Sequence, residues 1–145
     1  MNQFTPIWQP DEQLVDDALI TRFMGDVNRQ FGFSFQHFDE LYQWSVDEKE
    51  SFWSALWDFA EVVGEKGERI LIDGDDIEKA QWFPDAKLNF AENLLRNKSD
   101  ETAIYFRAEN QIETALSYRE LYDQVASVAY WLSSNGLKRG DRVAA

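Results

Sequence analysis

The sequence predicts an α/β chain: a helix-rich amino-terminal cap, then a β-hairpin, then the start of a βαβ unit. Three observations carry that prediction. Apolar residues recur at helical spacing through most of the first half of the chain, at Leu19, Phe23, Val27 and Phe31 and again from Phe52 to Phe59. Two strand-like runs, Ala103–Arg107 and Ile112–Leu116, flank the polar turn Ala108-Glu109-Asn110-Gln111. A helix-start signature, Ser117 with Glu120, follows the second run directly.

Met1–Pro10 is expected as an extended arm, since Pro6 and Pro10 bias Thr5 and Gln9 away from helix. Phe4, Ile7 and Trp8 are its apolar plugs for grooves on the body. The four-residue recurrence of Leu19, Phe23, Val27 and Phe31 predicts a helix over Ala18–Phe31, closed by Gly32 at a left-handed C-cap. Phe35–Trp44 reads as a short helix with Phe38, Leu41 and Tyr42 inward. Ser45 and Glu48 have capping-box spacing, so a third helix is expected to open there, carrying Phe52, Trp53, Leu56, Trp57 and Phe59. That aromatic stripe is read as packing, because a stacking platform for bases or sugars comes with orienting polar or basic groups.

Glu65–Lys79 is polar and turn-rich around Ile70-Leu71-Ile72. Its Asp73-Gly74-Asp75-Asp76 run lacks the alternating ligands and the bidentate Glu of a calcium loop. Past the hairpin, Leu116 and Leu121 fit a hydrophobic staple, and a helix is predicted over Tyr118–Asn135 with Leu121, Val125, Val128, Ala129 and Leu132 on one face. Gly136 ends it, Lys138-Arg139-Gly140-Asp141 turns the chain, and Arg142–Ala145 is expected to begin a strand.

The 145 residues hold 27 carboxylates against 14 lysines and arginines, a formal net charge of -13. Such a surface repels nucleic-acid phosphates and anionic lipid, so neither is expected as a partner, and the acidity is read as a solvated face. Cysteine is absent, which excludes disulfides and thiolate chemistry. The first ten residues lack a leader pattern and no apolar run could span a bilayer, so the expected location is cytoplasmic.

The search for chemistry returns no catalytic, cofactor-binding or metal residue. His37 is the sole histidine, and without cysteine or a second histidine it cannot anchor an ordinary transition-metal site. A dyad with Asp39 or Glu40 is conceivable, but a surface or capping role is preferred. Neither G-x-x-x-x-G-K-[ST] nor G-x-G-x-x-G occurs among the seven glycines, so no phosphate cradle is expected. Lys138-Arg139 reads as two cations at a helix C-terminus.

A βαβ unit needs its second strand parallel to the first and buried on both faces. Burying the apolar face of the Tyr118–Asn135 helix contributes on the order of 10 kcal/mol, at roughly 1.5–3 kcal/mol per large side chain. The sequence stops where that second strand starts, so the chain is expected to be an incomplete unit that exposes an apolar patch and self-associates.

Three segments together resemble the acyl-CoA synthetases of the adenylate-forming superfamily. Tyr42-Gln43-Trp44-Ser45-Val46-Asp47 followed by Phe52-Trp53 is similar to a signature near the start of short-chain acyl-CoA synthetases. Trp82-Phe83-Pro84-Asp85-Ala86-Lys87-Leu88-Asn89-Phe90-Ala91-Glu92-Asn93-Leu94-Leu95 is the specific one, and it resembles the acetoacetyl-CoA synthetases. Trp8-Gln9-Pro10 and Thr21-Arg22-Phe23-Met24 resemble the same branch. Leu116-Ser117-Tyr118-Arg119-Glu120-Leu121, with Gly136–Val143, is similar to a run shared by the whole superfamily. Asp85 departs from the family, which more often has glycine there; one turn residue replaces another.

The resemblance implies a helical cap over residues 1–100 and the first strands and helix of a large adenylation domain over 101–145. It implies an intact enzyme that uses ATP, magnesium and CoA to ligate a short acid, acetoacetate, through an acyl-adenylate. The family's phosphate loop, adenine motif, ribose-binding Asp, hinge and adenylation Lys match no segment of this chain, so the chain alone is expected to be inactive. Its partner would be the remainder of its own polypeptide. The alternative is a free-standing acidic protein-interaction module with a synthetase-like fold start. A stop codon directly after Ala145 would favour the module, and an open frame the synthetase.

Overall fold

A computed structural model describes residues 7–109 and 113–144 of the chain. It is mixed helix and short strand, divided between Leu88 and Asn89 into two compact units.

The first unit is built on helices α1 (Glu12–Asp16), α2 (Leu19–Phe31), α3 (Phe38–Asp47) and α4 (Lys49–Phe59). Helix α1 was not foreseen; Asp11 starts it by accepting a hydrogen bond from the Leu14 N–H at 2.8 Å. Helix α2 matches the expected helix, with Ala18 as its N-cap. It ends at Gly32, whose φ of 74° is the left-handed cap, and both the Gly32 and Phe33 N–H groups donate to the Asn28 carbonyl. Phe23 and Val27 are buried on its inner face, while Leu19 is exposed.

Two expectations about the next segment are corrected. The inward face of α3 is Leu41 and Trp44, 1% and 7% exposed, whereas Phe38 and Tyr42 are 60% and 57% exposed. Residues three apart share a helix face, and the large indole selects the face that puts it in the core. Ser45 also opens no helix: it lies inside α3, and its hydroxyl donates to the Tyr42 carbonyl at 2.7 Å. The break falls at Glu48, with φ -118° and ψ 55°. Seating Trp44 keeps the chain helical through Asp47 and overrides the local signature.

Phe23, Val27, Leu41, Trp44 and Ala55 form the core, with Met24, Phe35, Phe52, Leu56 and Phe59 packed around it. Its rings meet edge-on or tilted, Phe23 to Phe52 at 5.7 Å and Phe23 to Phe59 at 5.0 Å between centroids. Phe35 lies outside α3, in a loop fixed at both backbone groups by Asn28: Phe35 N–H donates to Oδ1 and Nδ2 donates to the Phe35 carbonyl, each at 2.9 Å. Ile7 and Trp8 stand exposed instead of filling grooves. Phe4 is outside the described residues.

Four two-residue strands finish the unit: β1 (Gly64–Glu65), β2 (Leu71–Ile72), β3 (Gln81–Trp82) and β4 (Lys87–Leu88). The β2–β3 pair is nested inside the β1–β4 pair, both antiparallel.

The second unit holds α5 (Phe90–Leu94), the antiparallel pair β5 (Thr102–Arg107) and β6 (Glu113–Ser117), and α6 (Tyr118–Ser134). The hairpin and helix were expected; the turn residues Asn110–Ile112 lie outside the described residues. Arg107 faces Glu113 across the ladder and pairs with it at 3.0 Å. Ser117 and Glu120 form the expected capping box: the Glu120 N–H donates to Ser117 Oγ at 3.2 Å and the Ser117 N–H to Glu120 Oε2 at 2.9 Å. Arg119 ties the helix start to the preceding loop through Asp100 at 2.7 Å, and Lys98 caps the Tyr122 ring at 3.9 Å. Helix α6 buries no residue fully, and Val125, Val128, Tyr130 and Trp131 are exposed. The strand expected from Arg142 does not form; Arg142–Ala144 is irregular, because a strand exists only by pairing and none is described beside it.

Core geometry makes a direct prediction. Leu41→Ala should destabilise the chain by about 2–5 kcal/mol in chemical denaturation followed by tryptophan fluorescence, while Phe38→Ala should cost less than about 1 kcal/mol.

Candidate functional site

The sequence placed its most specific motif at Trp82–Leu95, and the part of it in the first unit packs on α4. Trp53 and Trp57 lie one turn apart on α4 and so share a face. Trp82 meets Trp53 edge-on at 5.4 Å, and Phe83 meets Trp57 tilted at 4.9 Å. The stripe on α4 is thus divided: Phe52, Leu56 and Phe59 pack on the core, and the two tryptophans receive the motif.

Holding Phe83 there bends the backbone. Its φ is 46°, a left-handed conformation costing about 1–2 kcal/mol for a side chain of this kind. Two hydrogen bonds fix it, Phe83 N–H to the Ile70 carbonyl at 2.8 Å and Ala86 N–H to the Phe83 carbonyl at 2.9 Å. Arg69 then grips the turn through both carboxylate oxygens of Asp85, Nε to Oδ2 at 2.8 Å and Nη2 to Oδ1 at 2.5 Å. That contact holds the Asp85 carboxyl below the usual carboxylate range and raises Arg69. Asp85 is therefore more than an exchange of turn residues, since glycine could not bind Arg69. Sixteen positions separate the two, and no local pattern announces the pair.

Two glycines let the strands close on this turn. Gly67 has φ 80°, and a Cβ there would lie 2.6 Å from Asp85 Cβ; a Cβ on Gly64 would lie 2.7 Å from Leu88 Cβ. Lys66, between them, binds back to α4, donating to both Asp58 oxygens at 2.7 Å and to Ser54 Oγ at 3.0 Å.

The residues weighed for chemistry are placed otherwise. His37 is the N-cap of α3, and Glu40 accepts from the backbone N–H groups of Gln36 at 2.7 Å and His37 at 2.9 Å. Those two bonds lower the Glu40 carboxyl from its ordinary value. Its charge serves the helix start rather than an imidazole. In the Asp73–Asp76 run, Lys49 reaches the Gly74 carbonyl and Asp75, and Asp76 is lowered chiefly by Lys79 at 2.6 Å. Among the described residues no three His, Asp or Glu side chains converge as metal ligands, and no buried side-chain nitrogen or oxygen lacks a partner. The arrangement positions a loop. No described helix is long and apolar enough to cross a membrane.

The Arg69–Asp85 grip sets an acid response. The folded carboxyl binds its proton less readily than the unfolded one, so the stabilisation is complete above about pH 4 and is lost as pH falls through the depressed value. Protection of the Phe83 and Ala86 amides, taken as their hydrogen-exchange rate against the intrinsic rate at each pH, should fall below that pH in the native chain. In Asp85→Asn the protection should be lower already at neutral pH and respond less to acid.

The family model described as acetyl-coenzyme A synthetase N-terminus matches residues 38–94, from the start of α3 to the end of α5. Acetoacetyl-coenzyme A synthetase of Rhizobium meliloti (strain 1021) is 41% identical over 140 residues, covering 97% of this chain and 22% of that protein. Acetoacetyl-CoA synthetase of Rattus norvegicus is 35% identical over 141 residues, 94% of this chain and 21% of the relative. The solved acetoacetyl-CoA synthetase from Streptomyces lividans superposes with a TM-score of 0.76 at 37% identity, over 96% of this chain and 22% of that one. The chain spans about a fifth of the length of these relatives. With its motif turn seated on α4 inside the matched residues, the chain belongs to the acetoacetyl-CoA synthetase family and matches the amino-terminal region of its members.

Proposed function

We propose that the chain is the amino-terminal portion of an acid–thiol ligase that joins acetoacetate to CoA, and that it acts there as scaffold. The carrying observation is the likeness to an acetoacetyl-CoA synthetase over 96% of the chain. In the intact enzyme, acetoacetate would attack the α-phosphorus of ATP, giving acetoacetyl-adenylate and pyrophosphate. The CoA thiol would then attack the acyl carbon and release AMP, with magnesium accompanying the nucleotide. The residues of this chain do not fit those groups: it has no glycine-rich phosphate loop, and its described carboxylates form no metal cluster. No step is therefore assigned to them. Residues 1–100 would serve as a cap and 101–145 as the opening of the adenylation domain, in a cytoplasmic enzyme.

The exposed apolar side chains of the second unit support a scaffold role. Ile104, Phe106, Val128 and Trp131 leave apolar surface that the remainder of the polypeptide would cover. The acidic interaction module remains the second reading, favoured by the concentration of negative charge in the first unit.

Two measurements test this. The full-length product, given ATP, CoA and a panel of short acids, should form acetoacetyl-CoA fastest; much faster formation of acetyl-CoA or propionyl-CoA would reject the substrate assignment. The 145-residue chain alone should release no pyrophosphate from ATP and should associate at high concentration in light scattering. Turnover by the chain alone, or a strict monomer, would count against the scaffold role.

A further inference from the structure

One cleft in the first unit lies apart from the motif turn and borders the core at Trp44 and Phe35. It measures about 690 Å³ and is lined by Phe33, Phe35 and Trp44 with Asp39, Glu40, Gln43, Asp47 and Glu48. Its floor is aromatic: Phe33 stacks on Phe35 at 4.7 Å, and Trp44 lies edge-on beneath Phe33 at 5.7 Å. Its wall is preformed, because the two Asn28 bonds to Phe35 fix the loop. Four carboxylates line it, and no lysine or arginine does. Glu40 is committed to the helix cap and Asp47 accepts from Gln43, whereas Asp39 and Glu48 take part in no ion pair among the described residues.

We propose that this cleft docks an extended segment of a partner protein in which a lysine or arginine alternates with apolar side chains. Shape and charge select that occupant. Asp39 and Asp47 lie eight residue steps apart on α3, about 12 Å, the length of roughly four residues of extended chain. Apolar side chains enter the aromatic floor while cations meet the rim. A second copy of this chain is disfavoured, since residues 1–88 hold 19 carboxylates against 7 bases while 89–145 hold 8 against 7. The same excess draws a basic segment in from solution. A fixed wall leaves little ordering to be done on binding.

The test is fluorescence anisotropy of the 145-residue chain with a labelled hexapeptide alternating leucine and lysine, beside one with glutamate for lysine. The lysine peptide should bind and weaken as salt rises, and the glutamate peptide should not bind. Asp39→Asn with Glu48→Gln should weaken binding at least about tenfold, as should Phe33→Ala. Asp16→Asn with Asp17→Asn removes equal charge elsewhere and should leave it nearly unchanged. No binding, equal binding of the glutamate peptide, or equal loss from both charge pairs would overturn the proposal.

Discussion

Removing the Trp44 indole from water is the step on which the first unit depends. Its ring contacts Phe31 at 5.0 Å, Phe33 at 5.7 Å and Phe52 at 5.9 Å, so one side chain joins the end of α2, the following loop and α4. Only five described residues are buried, all apolar. In so small a core each large side chain contributes about 1.5–3 kcal/mol. That need dictates the face of α3, moves the helix break to Glu48 and leaves Phe38 and Tyr42 outside.

The motif turn follows from the same packing. With Phe52, Leu56 and Phe59 turned to the core, Trp53 and Trp57 are left on the adjoining face of α4, and Trp82 and Phe83 pack on them. The strained Phe83 backbone persists because hydrogen bonds and the Arg69–Asp85 pair surround it.

The second unit is held by different means. Its hairpin and its capping box are local, the Arg119–Asp100 pair ties the start of α6 to the loop before β5, and α6 buries nothing completely. Negative charge is also uneven, heavy in the first unit and nearly balanced in the second.

Legibility divides along the same line. The sequence alone determined features whose cause lies within a few residues: the helix of α2 with its Gly32 cap, the β5–β6 hairpin, and the start of α6 at Ser117 with Glu120. Backbone sterics and cap hydrogen bonds act at that range and leave a pattern in the letters. Its chemical residues were fewer still, and His37 with Glu40 proved to be a helix start. Only the tertiary structure decided that Trp44 goes in, that Ser45 stays helical, that Arg69 grips Asp85, and that Arg142–Ala144 forms no strand. Each of those rests on a partner distant in the chain or absent beside it, and burial or pairing with such a partner outweighs the fraction of a kcal/mol carried by local preference.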